Sequence, residues 1–171
     1  YSPVGLFSSN GGTIKNIGLV DVDITGSYTV GGLVGRNGDY WNSYWVTYGY
    51  IYNSFVTGTV SGIGTPSGDN RSAGGVGGLV GGNDRGLIQN SYSTATVTAT
   101  QNAGGLVGIL GGSYGGTGSV QYSYATGPVS ANTNKGGLIG SVRRGSYTAN
   151  FWDTQTTGAT RGVGSAASDP A

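Results

Sequence analysis

Gly77-Gly78-Leu79-Val80-Gly81 returns 27 residues later as Gly104-Gly105-Leu106-Val107-Gly108, and this recurrence decides how the chain folds. Working outward, Gly31-Gly32-Leu33-Val34-Gly35 precedes the pair, Gly136-Gly137-Leu138-Ile139-Gly140 follows it, and Gly5-Leu6-Phe7 is a shortened version near the start. Successive leucines lie 27, 46, 27 and 32 residues apart, which describes a unit of about 27 residues with extra residues in the second and fourth intervals. A fixed period with local insertions is the mark of stacked repeats, each unable to bury its apolar face alone, whose loops leave the stack.

A second phrase follows the first by about a dozen residues. Ile51-Tyr52-Asn53-Ser54-Phe55-Val56-Thr57 aligns with Ile88-Gln89-Asn90-Ser91-Tyr92-Ser93-Thr94 and with Val120-Gln121-Tyr122-Ser123-Tyr124-Ala125-Thr126. Apolar residues at the first position and aromatics at the fifth make ladders when repeats stack. The first repeat is a variant, with Ile14-Lys15-Asn16-Ile17 running into Val20-Asp21-Val22-Asp23-Ile24, an alternation that predicts a half-exposed strand. The last keeps Phe151-Trp152-Asp153 but loses the threonine pattern, as terminal repeats do. Three short extended segments joined by Gly-, Asn- and Ser-rich corners fill one unit, and no sustained helical stripe appears.

These features predict an all-β fold, a parallel β-solenoid (β-helix) of about five coils of roughly 27 residues with loop insertions. Residues 1–171 form a single repeat domain with coils starting near 4, 31, 77, 104 and 136, and 159–171 reads as a C-terminal tail or linker. Stacked Leu33, Leu79, Leu106 and Leu138 should form one inner row at a spacing of about 4.8 Å. The paired glycines before each leucine serve either a corner needing positive φ or a close approach of neighbouring backbone.

Composition limits function. Glycine supplies 37 of 171 residues, charged residues only 9%, and Cys, Met, His and Glu are absent. Periodic Leu, Val, Ile and Tyr supply the apolar area that disordered chains lack. A net charge of +1, with Lys15 and Lys135 the only lysines, offers no basic stripe, so no nucleic acid partner is expected. No segment approaches the roughly 20 apolar residues of a helical membrane span, so none is expected. A chain opening on Tyr1 instead of Met reads as a processed or excised piece, which favours export. Without His, Cys or Glu, catalysis would rest on an Asp pair or a Lys/Arg base, and no second Asp falls beside Asp84 or Asp153. No enzyme activity, cofactor or metal is expected.

The glycine–leucine phrase, the Asn-Ser-aromatic phrase and the closing Phe151-Trp152-Asp153-Thr154-Gln155-Thr156-Thr157-Gly158 together resemble the GLUG-motif repeats of bacterial surface proteins. Such repeats occur in filamentous-haemagglutinin-like adhesins and in the non-catalytic part of some immunoglobulin A peptidases. The resemblance runs from Val4 to about Gly158 and implies secretion, a β-helical stalk or fibre, and adhesion or matrix building. An insertion from Arg36 to Tyr50 is not part of the motif.

Candidate contact residues fall in two groups. Tyr40, Trp41, Tyr44, Trp45, Tyr48, Tyr50 and Tyr52 crowd into the insertion and its exit, and suit a protein interface or glycan stacking, or else shield the chain's own flank. Val4, Leu6, Phe7, Phe151 and Trp152 lie at the ends, where uncovered strand edges template pairing and invite head-to-tail stacking of copies into a fibre. Thr57, Thr94 and Thr126, with Ser61, Thr98 and Ser130, form hydroxyl rows that fit strand propensity or a water-ordering face. Asp21 and Asp23 fall short of the six to eight oxygens a calcium ion takes. The expected partners are copies of the chain, other surface or matrix proteins, or glycans, outside the cell or at its surface.

Overall fold

A computed structural model describes residues 2–41, 45–64, 74–112 and 115–166, with the side chains of Tyr40, Trp41 and Trp45 outside the described set. The first repeat contributes β1 (Phe7–Asn10), β2 (Thr13–Lys15) and β3 (Gly18–Gly26). The second contributes β4 (Val30–Gly31), β5 (Val34–Asn37), a hairpin of β6 (Asp39–Trp41) and β7 (Trp45–Thr47), then β8 (Tyr50–Tyr52) and β9 (Phe55–Gly62). The third has β10 (Val76–Gly77), β11 (Val80–Asn83), β12 (Leu87–Gln89), β13 (Tyr92–Ser93) and β14 (Thr96–Gly104). The fourth has β15 (Val107–Leu110), β16 (Gly118–Gln121), β17 (Tyr124–Ala125) and β18 (Val129–Gly136). β19 (Ile139–Val142), β20 (Gly145–Thr148), β21 (Phe151–Trp152), the single helical turn α1 (Thr154–Thr157) and β22 (Val163–Ala166) complete the chain.

The fold is all-β with parallel strands. One sheet runs β1-β5-β11-β15-β19-β22 and a second runs β2-β8-β12-β16-β20. The third carries β3 with β4, β9 with β10, β13 with β14, β17 with β18, and β21, and among the described strands only the β6–β7 hairpin is antiparallel. The chain visits the three sheets in rotation, so each segment pairs with its counterpart one repeat away. Register follows the phrases residue by residue: Val34 pairs with Val80, Val80 with Val107 and Val107 with Ile139, while Ile14, Ile51, Ile88, Val120 and Tyr147 form one row of the second sheet. Leu33, Leu79, Leu106 and Leu138 are all buried, and with the valine and isoleucine rows of all three sheets they make one apolar cluster.

The corners explain the second phrase. Asn16, Asn53, Asn90, Tyr122 and Ala149 occupy equivalent positions with φ of 59°, 48°, 51°, 49° and 53°. Asn tolerates this left-handed conformation best among non-glycine residues, which accounts for its recurrence there. The serine that follows satisfies the turn. Ser54 Oγ accepts from Ile17 N at 3.2 Å, Ser91 Oγ from Ser54 N at 3.1 Å, and Ser123 Oγ from Ser91 N at 3.2 Å. Each hydroxyl also donates to a carbonyl two residues earlier, so these buried serines tie consecutive corners without leaving a polar atom unpaired.

A row of buried asparagines does the same at the exit of the first sheet. Asn10 Nδ2 donates to Asn37 Oδ1 at 2.8 Å, and Asn37 Nδ2 to Asn83 Oδ1 at 2.9 Å. Asn83 Nδ2 then donates to the carbonyls of Gly86 and Ser119, both at 3.1 Å. In the fourth repeat Leu110 takes the position of Asn83, and the row stops.

Several expectations need correction. Arg36 and Asn37 belong to β5 and Tyr50 opens β8, so the insertion is 38–49, shorter than the sequence suggests, because the asparagine row anchors Asn37. A second insertion was missed. Gly26 and Val30 are separated by three residues, whereas their partners Gly62 and Val76 are separated by thirteen, because the glycine- and serine-rich stretch between them carries no phrase to mark it. The strand alternation around Val20 also breaks. A bulge between Leu19 and Val22 with Asp21 at φ 54° turns Val20 outward, 65% exposed. The presumed tail contains β22, whose Val163 pairs with Ile139.

The paired glycines answer to close approach. None of Gly31, Gly77, Gly104 or Gly136 has positive φ, and a Cβ on each would strike the carbonyl oxygen of Val34, Val80, Val107 or Ile139. At Gly105 an added Cβ would meet the Gly137 carbonyl and stand 2.7 Å from Ala125 Cβ. Gly105→Ala should therefore lower stability by about 1–3 kcal/mol. Gly12→Ala, where a Cβ meets nothing within 4 Å, should stay within about 0.5 kcal/mol of the parent, both read from urea unfolding midpoints.

Candidate functional site

The hairpin leaves the stack at the corner between the first two sheets, where three charged side chains meet. Arg36 lies 3.4 Å from Asp39 and its Nε 3.5 Å from Asp84 Oδ2. That Nε is buried and makes no hydrogen bond of good geometry, so the pairing with Asp84 is electrostatic in character. Burial pushes the Asp84 carboxyl above the ordinary value of 3.8, against the pull of Arg36 and with help from Asp39. Asp39 N also donates to Thr47 Oγ1 at 3.1 Å, pinning the base of the hairpin. The cluster fixes the insertion to the stack. Among the described residues no group of three or more acidic side chains is placed to hold a metal ion.

Of the aromatics singled out in the sequence, Tyr44 lies outside the described residues, as do the side chains of Tyr40, Trp41 and Trp45. The other three form an outward patch. Tyr48 is 57% and Tyr50 38% exposed, Tyr52 is half-buried, and the intervening Ile51 points into the core. Tyr50 and Tyr52 hold their rings within 11° of parallel with centroids 6.3 Å apart.

A second aromatic surface was legible only as a repeated fifth position. Phe55, Tyr92 and Tyr124 stand in register across the third sheet, with ring centroids 4.9 and 4.8 Å apart and planes within 4° and 3°. Phe151 continues the row, and Gly18 begins it, with the Phe55 ring lying over the glycine where a side chain would be. The faces of neighbouring rings cover one another, so the ladder adds aromatic packing between consecutive strands of the sheet. Packing raises the Tyr124 phenol, through burial first and Tyr92 second.

The end residues lie on sheet edges. Val4 bridges Val30, Leu6 is 56% and Phe7 40% exposed beside β1's free edge, and Phe151 is 69% exposed on β21. Trp152 instead turns inward, its indole against Gly137 and Gly162 and its Nε1 donating to Ala159 O at 3.3 Å. Asp153 caps α1, accepting from Gln155 N and Thr156 N, and these bonds hold its carboxyl below the usual range. Thr96 and Thr98 are exposed and in register with Thr59 and Ser61, while Asp21 and Asp23 are both exposed on β3.

Stacked parallel strands with corner serines and an in-register leucine phrase define an all-β repeat protein. The family model of the GLUG motif matches residues 26–61 and 72–98. Those two stretches thus carry the GLUG motif, and the strand register runs on through the repeats that follow them. No curated protein and no solved structure matches the chain.

The sign of the Asp84 effect is testable. A carboxyl raised on folding favours the fold when protonated, and stability falls as pH rises from 3.8 through the folded value. Relative to the parent, Asp84→Asn should therefore gain stability between pH 3 and pH 7, measured by urea unfolding at both; a difference that moves the other way would mean that the pairing with Arg36 outweighs burial.

Proposed function

We propose that the three sheets close around the shared core as a parallel β-solenoid, and that the chain is a non-catalytic structural and adhesive module outside the cell, on a surface or in a matrix. The observation that carries this reading is the continuity of the ladder, in which each repeat supplies the backbone partners of the next from β1 to β22. Continuous hydrogen bonding of this kind gives stiffness along the stack, the property a stalk or spacer needs. The carboxylates fit the same reading: Asp39 and Asp84 pair with Arg36, and Asp153 caps α1, all structural duties.

Adhesion in this reading belongs to the end of the insertion and the strand that follows it. Tyr48 lies between β7 and β8, and Tyr50 and Tyr52 face outward from β8, so their contacts can vary without disturbing the stack. A glycan is the alternative partner to protein, since a sugar's apolar face packs on an exposed tyrosine ring such as that of Tyr48.

Beads coated with the chain should adhere to matrix proteins or arrayed glycans. Tyr48→Ala with Tyr50→Ala should cut retention about tenfold or more while leaving the unfolding midpoint within about 1 kcal/mol of the parent. Unchanged retention would remove the patch from the proposal. Turnover of a polysaccharide by the purified chain would overturn the non-catalytic reading.

A further inference from the structure

Charge on this chain is sparse but not scattered. Of its eight lysines and arginines, Arg36, Arg85, Arg143 and Arg144 stand at or beside the corner between the first two sheets, together with Asp39 and Asp84. Arg36 leans on both aspartates, and Arg85 and Arg143 also act on the Asp84 carboxyl, so these four cations outnumber the two carboxylates beside them. The overall charge of +1 conceals this local excess, because Asp21, Asp23 and Asp153, which offset it, lie on β3 and at the start of α1.

Register sets part of the excess in a row. β8, β12, β16 and β20 pair through Tyr50, Leu87, Ser119 and Ser146. Two residues before each of these stand Tyr48, Arg85, Thr117 and Arg144, so one line along the stack reads phenol, guanidinium, hydroxyl, guanidinium. Backbone bonds hold that alignment into the corner: Leu87 N donates to Gly49 O at 2.9 Å, Ser119 N donates to Gly86 O at 2.8 Å, and Gly118 pairs with Gly145. Glycines between β15 and β16 leave room for the cations. A Cβ on Gly116 would stand 2.7 Å from Arg85 Nη1, and one on Gly115 would stand 3.3 Å from Arg144 Nη1. Tyr48, Thr117 and Arg144 are exposed and Arg85 is half-buried, and Arg144 forms no ion pair among the described residues. Arg85 and Arg144 lie two rungs apart, roughly 10 Å at the spacing of paired strands, and the whole row covers about 14 Å.

We propose that this row binds an acidic polysaccharide, an extended β-1,4-linked polyuronate lying along the stack with a sugar face on Tyr48 and carboxylates on Arg85 and Arg144; the proposal rests on the glycan alternative given above for the same tyrosine. In such a chain each pyranose advances roughly one rung and is turned over relative to its neighbour. Carboxylates on one side therefore recur at every second sugar, the separation of the two arginines. A guanidinium meets a carboxylate in a forked, charge-assisted pair, and the tyrosine ring supplies the apolar platform. Thr117 falls between the arginines, where the intervening sugar offers hydroxyls. A neutral glycan would leave both cations unanswered. A nucleic acid carries a phosphate at every nucleotide, more charge than a row of two cations separated by a hydroxyl can match.

The test is calorimetric titration of the full chain with hexameric β-1,4-mannuronate. Saturable binding is expected, weakened by added salt and about tenfold or more tighter than that of the hexamer's methyl ester or of the neutral β-1,4-glucose hexamer. Arg144→Gln should weaken it about tenfold, and Thr117→Asp, which sets a like charge between the arginines at an exposed position, should do so at least as strongly. Arg161→Gln, beside Trp152 and Leu138, should leave it unchanged. Urea midpoints equal to the parent's confirm that each variant is folded. Equal binding of the ester or the neutral hexamer would overturn the acidic row and leave the glycan reading of Tyr48 standing, whereas a folded chain that binds none of the hexamers would sink both. Preference for a sulfated hexamer, or for a single-stranded oligonucleotide of equal charge, would overturn the carboxylate assignment.

Discussion

Everything in this molecule depends on backbone groups that only the neighbouring repeat can satisfy. A strand of two to four residues is far below the size that is stable alone, and here the inner strands of each parallel sheet are held by their counterparts on both sides. Register is therefore unforgiving, because a slip of one residue would turn Ile51 and Ile88 outward and bring Tyr50 and Leu87 inward. The corner serines and the asparagine row guard against that slip, since each polar atom finds its partner only when equivalent residues stand over one another.

The leucine period carried most of the fold in plain sight, because stacking forces equivalent residues into equivalent environments and so leaves a visible copy at every repeat. Gly-Gly-Leu-Val and Asn-Ser-aromatic were legible for that reason. What escaped was whatever does not repeat. The second insertion lacks a phrase to mark it, the bulge at Asp21 occurs once, and β22 pairs through Val163 where no leucine stands. The inward turn of Trp152 was also hidden, since sequence alone gives Phe151 and Trp152 as adjacent aromatics without saying that strand alternation sends them to opposite faces. Of the candidate residues, the sequence left open whether Tyr48 and Tyr50 are exposed or shield the chain's own flank, and the charge cluster of Arg36, Asp39 and Asp84 unites residues from different repeats that no spacing announced.

The two aromatic surfaces look alike in composition and differ in physics. The Phe55, Tyr92 and Tyr124 rings spend their faces on each other, so they add packing between the strands of the sheet. Tyr48, beside the hairpin, keeps 57% of its area in solvent, next to a base that the Arg36 pairings and the Asp39–Thr47 bond make firm. In the proposed reading, scaffold and contact surface are thus separated in the same short stretch of chain, one built from what every repeat shares and the other from what a single repeat adds.

The asparagine row gives the stack a direction. Its side-chain amides all donate the same way, from Asn10 through Asn37 to Asn83, each also reaching a neighbouring backbone carbonyl, and Asn83 is left with carbonyl partners alone because Leu110 offers no acceptor. Units that share an outline are consequently not interchangeable: a duplicate of the second or third could slot in among its kin and lengthen the column, whereas transplanting the fourth between them would strand an amide on either side. Growth of such a protein by copying is channelled toward the asparagine-bearing half.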